Sequence, residues 1–185
     1  MRTYVSTPGQ PVPAAYFDCR YKTLREPLGF IRGEERLNDD DEAIHAWIEE
    51  GGRVVAVGRV HLIPTDSNGE QADHGGEGAT RCPAFEPLDG NVRFPHPDEL
   101  RPAFQIRQMG VDPTYQRQGI GRRILDMLEL EAIREWSTQS GWLQARKGAI
   151  AFYAAAGWEE FGDAYDITRI GEHRSMWKCF ITPMT

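Results

Sequence analysis

The sequence predicts an α/β domain built on a mixed sheet, and three observations lead there. Apolar runs of strand length alternate with runs of helical period; two β-rich runs are joined by a glycine pair; and a strand-like run feeds through a glycine-bearing turn directly into a long helical pattern.

Taken in order, "AAYFDCRYKTLREPL" (14–28) sets Ala15, Cys19, Lys22 and Leu24, with Tyr16, Tyr21 and Leu28, at mostly helical spacings behind Pro13, and predicts a helix. A polar connection, "GFIRGEERLNDDD", ends in three acids. Next come "EAIHAWIEE", the Gly51-Gly52 pair and "RVVAVGRVHLI", which predict a hairpin with a two-residue turn. From 64 to 102 the composition shifts to Gly, Pro, Asp and Glu without periodicity, which marks an insertion too long for a plain connector. Beyond it "AFQIRQMGV" predicts a strand, and "IGRRILDMLELEAIREW" a helix with Ile124, Leu125, Leu128, Ala132 and Trp136 on one face. A strand "GWLQAR", an Ala-rich helix "GAIAFYAAAG" stopped by Gly157, a short strand "WEEF" and a final strand "HRSMWKCFI" complete the series.

Composition narrows the function classes. The chain has 185 residues, 40% of them hydrophobic, enough for the core of one domain spanning 1–185. A formal charge of −7 disfavours a general nucleic-acid binder, since phosphate affinity rests on Lys and Arg. Cys19, Cys82 and Cys179 lie far apart in no metal-type spacing, so no metal site and no disulfide framework are expected. No apolar run approaches a membrane span or a signal peptide, and a cytoplasmic protein without membrane partners is expected.

The turn "VDPTYQRQGIG" (Val111–Gly121) stands between strand and helix, where the first helical amides are free and the helix dipole places about half a positive charge. Gly119 and Gly121 would admit a ligand close to the backbone, and Arg117, Arg122 and Arg123 add formal positive charge, so a pyrophosphate suits the loop. The chain has neither the GxxxxGK[ST] pattern nor a GxGxxG at the start of a βαβ unit, which disfavours ATP and NAD. Both glycines could also serve only to shape a tight turn.

The run "VDPTYQRQGIGRRIL" resembles the central motif of the GCN5-related N-acetyltransferases, V-x-P-x-x-[QR]-x-x-G-x-[GA], with Gln116, Gly119 and Gly121 at its signature positions. "AIAFYAAAGWEEFG" resembles the family's second motif through Ala149, Phe152, Tyr153 and Gly157, with Trp158 replacing the usual aromatic. The first half is similar, more loosely, to the ElaA-like branch, as is the ending "GEHRSMWK"; that branch does not normally carry the 64–102 insertion.

The resemblance implies the acyl-CoA N-acyltransferase (GNAT) fold, a mixed central sheet flanked by helices whose parallel strands, here "QIRQMGV" and "WLQAR", splay apart at the cofactor site. It implies that acetyl-CoA, as donor substrate, is held by Met109, Gly110 and Val111 along the strand, by Gln116, Arg117, Gln118, Gly119, Ile120, Gly121, Arg122 and Arg123 around the pyrophosphate, and by Phe152. An amide near Met109 would polarise the thioester carbonyl. Tyr153 would be the acid for the departing thiolate, since a phenol is protonated at neutral pH.

The general base that deprotonates a primary amine falls among His45, His61, His173, Asp41 and Glu42. A two-residue Gly51-Gly52 turn would set Glu42 opposite His61 as a carboxylate–imidazole pair, and His61, Glu42 and His173 are the catalytic candidates beside Tyr153. The acidic "NDDDE" run reads as a solvated turn, but the resemblance to the ElaA-like branch implies that it borders the acceptor site, where it would favour a cationic small-molecule amine. Arg146 and Lys147 stand where a CoA phosphate is one destination, and the insertion would cover the acceptor site or mediate contacts in a homodimer. Direct transfer in a ternary complex is the leading expectation. A non-catalytic acyl-CoA sensor and an enzyme using a longer acyl donor are the alternatives.

Overall fold

In the computed structural model, which describes residues 1–85 and 100–180, the strands β1 (Arg2–Ser6), β2 (Ile44–Glu50), β3 (Arg53–Ile63), β6 (Ala103–Val111), β7 (Ser140–Arg146), β8 (Glu159–Ile167) and β9 (Gly171–Cys179) form one sheet. Its order is β1-β2-β3-β6-β7-β9-β8, with β6 and β7 parallel and the other neighbours antiparallel. The helices are α1 (Ala14–Leu24), α2 (Ile120–Trp136) and α3 (Ile150–Ala154), and a separate two-stranded ribbon pairs β4 (Gln71–Ala72) with β5 (Arg81–Cys82).

The sheet is covered on both faces. On one face α2 buries Ile120, Ile124, Leu125, Leu128 and Ala132 against Ile44, Val60, Phe104 and Ile106. Each of these branched side chains contributes about 1.5–3 kcal/mol by leaving water. Gly58 on β3 permits the contact, for a Cβ there would stand 2.7 Å from Ile124 and 2.8 Å from Leu128. On the other face α1 packs Tyr16, Phe17 and Cys19 against Trp47 and Val57. Burial on two sides explains why Ile44 to Ile48 is buried without a break rather than alternating.

α1 ends at Leu24, and 26–28 is a separate 3-10 turn, four residues short of the helix the spacing predicted. Pro27 supplies the reason: it donates no N–H and disfavours helical backbone in the residue before it. The expected "WEEF" strand extends to nine residues because β8 pairs with β9 past a register shift between Phe161 and Tyr165. β1, which the sequence reading did not identify, pairs along the exposed side of β2.

The hairpin turns at Gly51 and Gly52, both left-handed with φ of 57° and 76°. Its register is not the one a regular two-residue turn implies. A bulge at Ile48/Glu49 shifts the pairing, so His45 faces Arg59 and Ile44 faces Val60. Glu42 is an exposed residue of a 3-10 turn (Asp40–Glu42) outside the strand, and its expected pairing with His61 does not form.

The described part of the 64–102 segment lies down on the α1 face. The β4–β5 ribbon docks through Arg107, which donates to Gln71 Oε1 at 2.6 Å and to the Ala72 carbonyl. Gln144 reaches the Pro83 carbonyl at 2.9 Å, and Gly75 N–H bonds Glu34 O at 3.0 Å. Among the described residues no helix is long and apolar enough to cross a membrane.

Candidate active site

β6 and β7 pair only through Phe104–Gly141, Gln105–Trp142 and Ile106–Leu143, then separate. A bulge in β6 accompanies the separation: three steps from Arg107 to Gly110 match two from Arg59 to Val57, and Gln108 adopts φ 53°. The extra residue twists β6 away from its parallel neighbour and leaves its inner backbone edge without a strand partner. Gly110 sits in the bulge because α1 crosses there; a Cβ would lie 2.2 Å from Thr23 Oγ1. Met109 and Val111 send half-buried side chains into the α2-face core.

The chain leaving β6 is tightly built. Asp112 caps the 3-10 turn Pro113–Tyr115, accepting from Thr114 N–H at 2.9 Å and from its hydroxyl at 2.6 Å. Gln116 folds back onto the Val111 carbonyl and Gln118 onto that of Thr114, both at 3.2 Å. Arg117 (φ 59°) and Gly119 (φ 76°) are left-handed, and α2 begins at Ile120 with no side chain capping it. Arg123 N–H bonds Gly119 O at 3.1 Å, so the amides of Gly119, Ile120, Gly121 and Arg122 precede it at a dipole-positive helix end. A pyrophosphate fits that cradle. Ile120 turns its side chain into the core, Arg122 is tied to Asp126 at 2.6 Å, and Arg117 and Arg123 are exposed.

The two glycines differ in kind. Gly119 is demanded by its backbone angle, whereas at Gly121 a Cβ would meet Phe152 and Val111 at an ordinary 3.6 Å. The polypeptide alone therefore leaves room for a methyl at 121.

Where the strands part, a cavity opens on the α1 face. β6 contributes Ile106 to Met109, β7 contributes Gln144 to Arg146, α3 contributes Tyr153, and β9 contributes His173. α3 is short because Gly157 (φ 85°) reverses the chain and Trp158 N–H returns to Tyr153 O at 3.1 Å. That turn holds the Tyr153 hydroxyl 3.6 Å from Met109 Sδ. Burial pushes the Tyr153 pKa above its ordinary value of 10, more than nearby Arg146 lowers it, so the phenol keeps its proton.

His173 is 5% exposed, and its Nδ1 lies 2.7 Å from the Gly171 carbonyl. A carbonyl only accepts, so Nδ1 carries the hydrogen and Nε2 is left with a lone pair. Burial lowers the His173 pKa below 6.5, which keeps the ring neutral at pH 7.

The other base candidates lie elsewhere. His61 is outside the cavity, its Nε2 2.6 Å from the Gln71 amide nitrogen, and burial with Arg59 and Arg107 nearby keeps it uncharged. His45 bridges Tyr16 Oη (3.0 Å) and Asp40 O (2.8 Å), a buried structural role. Glu42 and Asp41 are exposed and do not line the cavity. Nor does the acidic run present free charge to it. Asp40 pairs with Arg20 at 2.9 Å and Arg59 at 3.1 Å, and Asp39 pairs with Arg59 at 2.9 Å. Arg146 points into the cavity rather than toward the helix end that would hold phosphate, and Lys147 pairs with Glu172 at 3.1 Å.

Several lining residues went unrecognised in the sequence, among them three with polar or reactive side chains. Asp73 and Cys82 come from the 64–102 segment, which has no periodicity to place them, and Arg25 comes from the end of α1. Burial pushes the Cys82 thiol up to about 11, so it is not a ready nucleophile.

Comparison with known proteins agrees with this geometry. The model of the acetyltransferase (GNAT) domain family matches residues 41–160. An uncharacterized N-acetyltransferase, YitI of Bacillus subtilis (strain 168), is 32% identical over 80 residues, a match spanning 43% of this chain and 53% of that protein. The chain thus matches about half the length of that relative. Among solved structures, an acyl-CoA N-acyltransferase from Pseudomonas aeruginosa superposes with a TM-score of 0.65 at 13% identity, covering 96% of this chain and 99% of that one. Escherichia coli ElaA gives 0.61 at 14% identity, covering 96% and 98%. The ribosomal-protein-S18-alanine N-acetyltransferase of Escherichia coli gives 0.57 at 16% identity, covering 98% and 96%. With the family model spanning most of the chain, and with diverging parallel strands leading to a free helix N-terminus, this protein belongs to the GNAT acetyltransferase family.

Proposed function

We propose that the protein transfers an acetyl group from acetyl-CoA to the primary amine of a small molecule, by direct transfer while both are bound. The observation that carries this reading is the convergence of Tyr153 and His173 on the cavity where β6 and β7 part. The free edge of β6 at Met109 to Val111 would hold the pantetheine arm, and the amides of Gly119 to Arg122 the pyrophosphate. When bound, the thioester supplies the acetyl group.

His173 Nε2 takes a proton from the ammonium, and the freed nitrogen lone pair bonds to the acyl carbon. The carbon–sulfur bond breaks and the sulfur takes the Tyr153 proton; the new amide nitrogen gives up its second proton to the Tyr153 phenolate through solvent, and solvent carries away the proton held by His173. Direct attack fits better than a cysteine-linked route, because Cys82 in the same cavity stays a thiol at neutral pH. Holding both partners in one site supplies much of the rate, effective molarities reaching ~10⁵ M or more.

Thermal unfolding with acetyl-CoA tests the donor half. Saturation at about 100 times Kd adds about 2.7 kcal/mol, which raises Tm by roughly 5–10 °C in a chain of this size. Thiol release on adding amines tests the acceptor half. An unchanged Tm at saturating acetyl-CoA would overturn the reading; a shift without thiol release for any amine would make the protein an acyl-CoA binder.

A further inference from the structure

The cavity carries an unmatched pair of charges. Asp73 is 4% exposed, yet neither carboxylate oxygen has a hydrogen-bond partner among the described residues. A buried charge left this way is costly, and native structures keep such groups where something else completes them. Among the described residues the one basic group within 4 Å, His74 Nε2, stands 3.7 Å from Oδ1, beyond hydrogen-bond length. Its Nδ1 lies 2.6 Å from the Gly75 carbonyl, so in the neutral ring Nε2 bears no proton to give.

The carboxylate is nonetheless held in place. The Asp73 carbonyl accepts from Arg25 at 2.7 Å and from Gln108 at 2.9 Å, and its N–H bonds Thr80 O at 3.0 Å. The β6 bulge that opens the strands thus also fixes, through Gln108, the backbone of an acid supplied by the 64–102 segment.

The guanidiniums of the same cavity are not equivalent. Arg25 also donates to Gln108 Oε1 at 2.7 Å, and Arg107 is taken up by Gln71 and Ala72. The guanidinium of half-buried Arg146, on β7, makes no hydrogen bond or ion pair among the described residues. Asp73 and Arg146 line one cavity without an ion pair between them within 4 Å. A ligand with both an ammonium and a carboxylate would complete both groups; a simple amine would leave Arg146 unmatched, and a polyamine would set a second cation beside it.

We propose that the acceptor is a free amino acid whose ammonium is received by Asp73 and whose carboxylate is received by Arg146. This rests on the transferase reading. Asp73 holds the nitrogen through its N–H groups, while His173 on the neighbouring wall takes one proton from it.

The test uses the full chain saturated with acetyl-CoA and follows thiol release. The panel is the common amino acids, each beside its decarboxylated amine: phenylalanine with phenethylamine, leucine with isoamylamine, lysine with cadaverine. Expected is at least one amino acid used with kcat/KM about tenfold or more above its amine, the scale of one charge-assisted hydrogen-bonded contact. Asp73→Asn should raise KM for that amino acid about tenfold or more and leave KM for acetyl-CoA unchanged. Arg146→Gln, on a half-buried side chain, should bring the amino acid down to the level of its amine.

Amines used as well as their amino acids would overturn the proposal. So would unchanged amino-acid KM in Asp73→Asn, or an Arg146→Gln effect confined to acetyl-CoA. If acetyl-CoA binds and no amino acid is acetylated, this inference falls and donor binding stands; if acetyl-CoA does not bind, the transferase reading itself fails.

Discussion

Tyr153 and His173 face one cavity, and in the proposed reaction they have opposite tasks that burial favours in both cases. It raises the phenol, which must give a proton to sulfur, and lowers the imidazole, which must accept one. Activity that needs neutral His173 is lost as pH falls through a pKa lying below 6.5, and Tyr153 stays protonated past 10. The kcat profile at saturating substrates should therefore be level from about pH 7 to 9, with an acid limb below the ordinary histidine range. Tyr153→Phe should lower kcat about 10²-fold, keep that acid limb and leave KM for acetyl-CoA within about twofold. A kcat unchanged in Tyr153→Phe would remove it as the acid. Motif position singled out Tyr153 and the His-bearing ending singled out His173, and both line the cavity. Asp73 gave no such signal: a lone acid in an aperiodic Gly-rich run looks like any solvated loop residue until the fold lays it against Arg25 and Gln108.

At the scale of elements, the two glycines of the loop part company, and that contrast separates fold from ligand. Gly119→Ala would have to hold φ 76°, a left-handed backbone costing about 1–2 kcal/mol, so it should lower Tm with or without donor. Gly121→Ala places its Cβ at 3.6 Å from Phe152 and Val111 inside a helix, where alanine is favoured over glycine by about 1 kcal/mol. Without donor its Tm should hold or rise by a few degrees, while calorimetry should show acetyl-CoA binding weakened several-fold, because the methyl would intrude on the proposed pyrophosphate cradle. Undiminished binding would mean that Gly121 serves only the turn. The strand–loop–helix order was legible because its periodicities are long and its glycines stand at the junction. The register of β2 on β3 was not, since the bulge at Ile48/Glu49 belongs to the pairing of two strands, which neither strand's own sequence displays. The same holds for β1, a five-residue strand with only one buried residue.

Across the whole molecule, the α1 face is held by charge as much as by apolar packing. Arg20, Arg25, Arg59 and Arg107 are all at least nine-tenths buried, and Asp39 and Asp40 answer two of them. Buried pairs of this kind are costly to break from one side, which makes the face sensitive to acid. Burial lowers the His45 pKa to about 4 from 6.5, a change that the carbonyl of Asp40 only partly opposes. Between those values the unfolded chain binds a proton that the folded one refuses, so stability rises with pH across the window and is lost as pH falls from about 6.5 toward 4. His61, held low by its own burial and by Arg59 and Arg107, adds in the same direction. Asp39 does too: burial alone would raise its carboxyl, but the hydrogen bond and charge of Arg59 hold it below the usual range, so its contribution is lost toward still lower pH. The share of His45 is about 2–3 kcal/mol between pH 7 and 4.5, or roughly 5–10 °C in Tm. His45→Gln keeps an N–H toward the Asp40 carbonyl and removes the titration, so its Tm should fall less steeply between those two pH values than that of the wild type. Parallel slopes for the two proteins would show that acid sensitivity arises elsewhere than in this buried histidine.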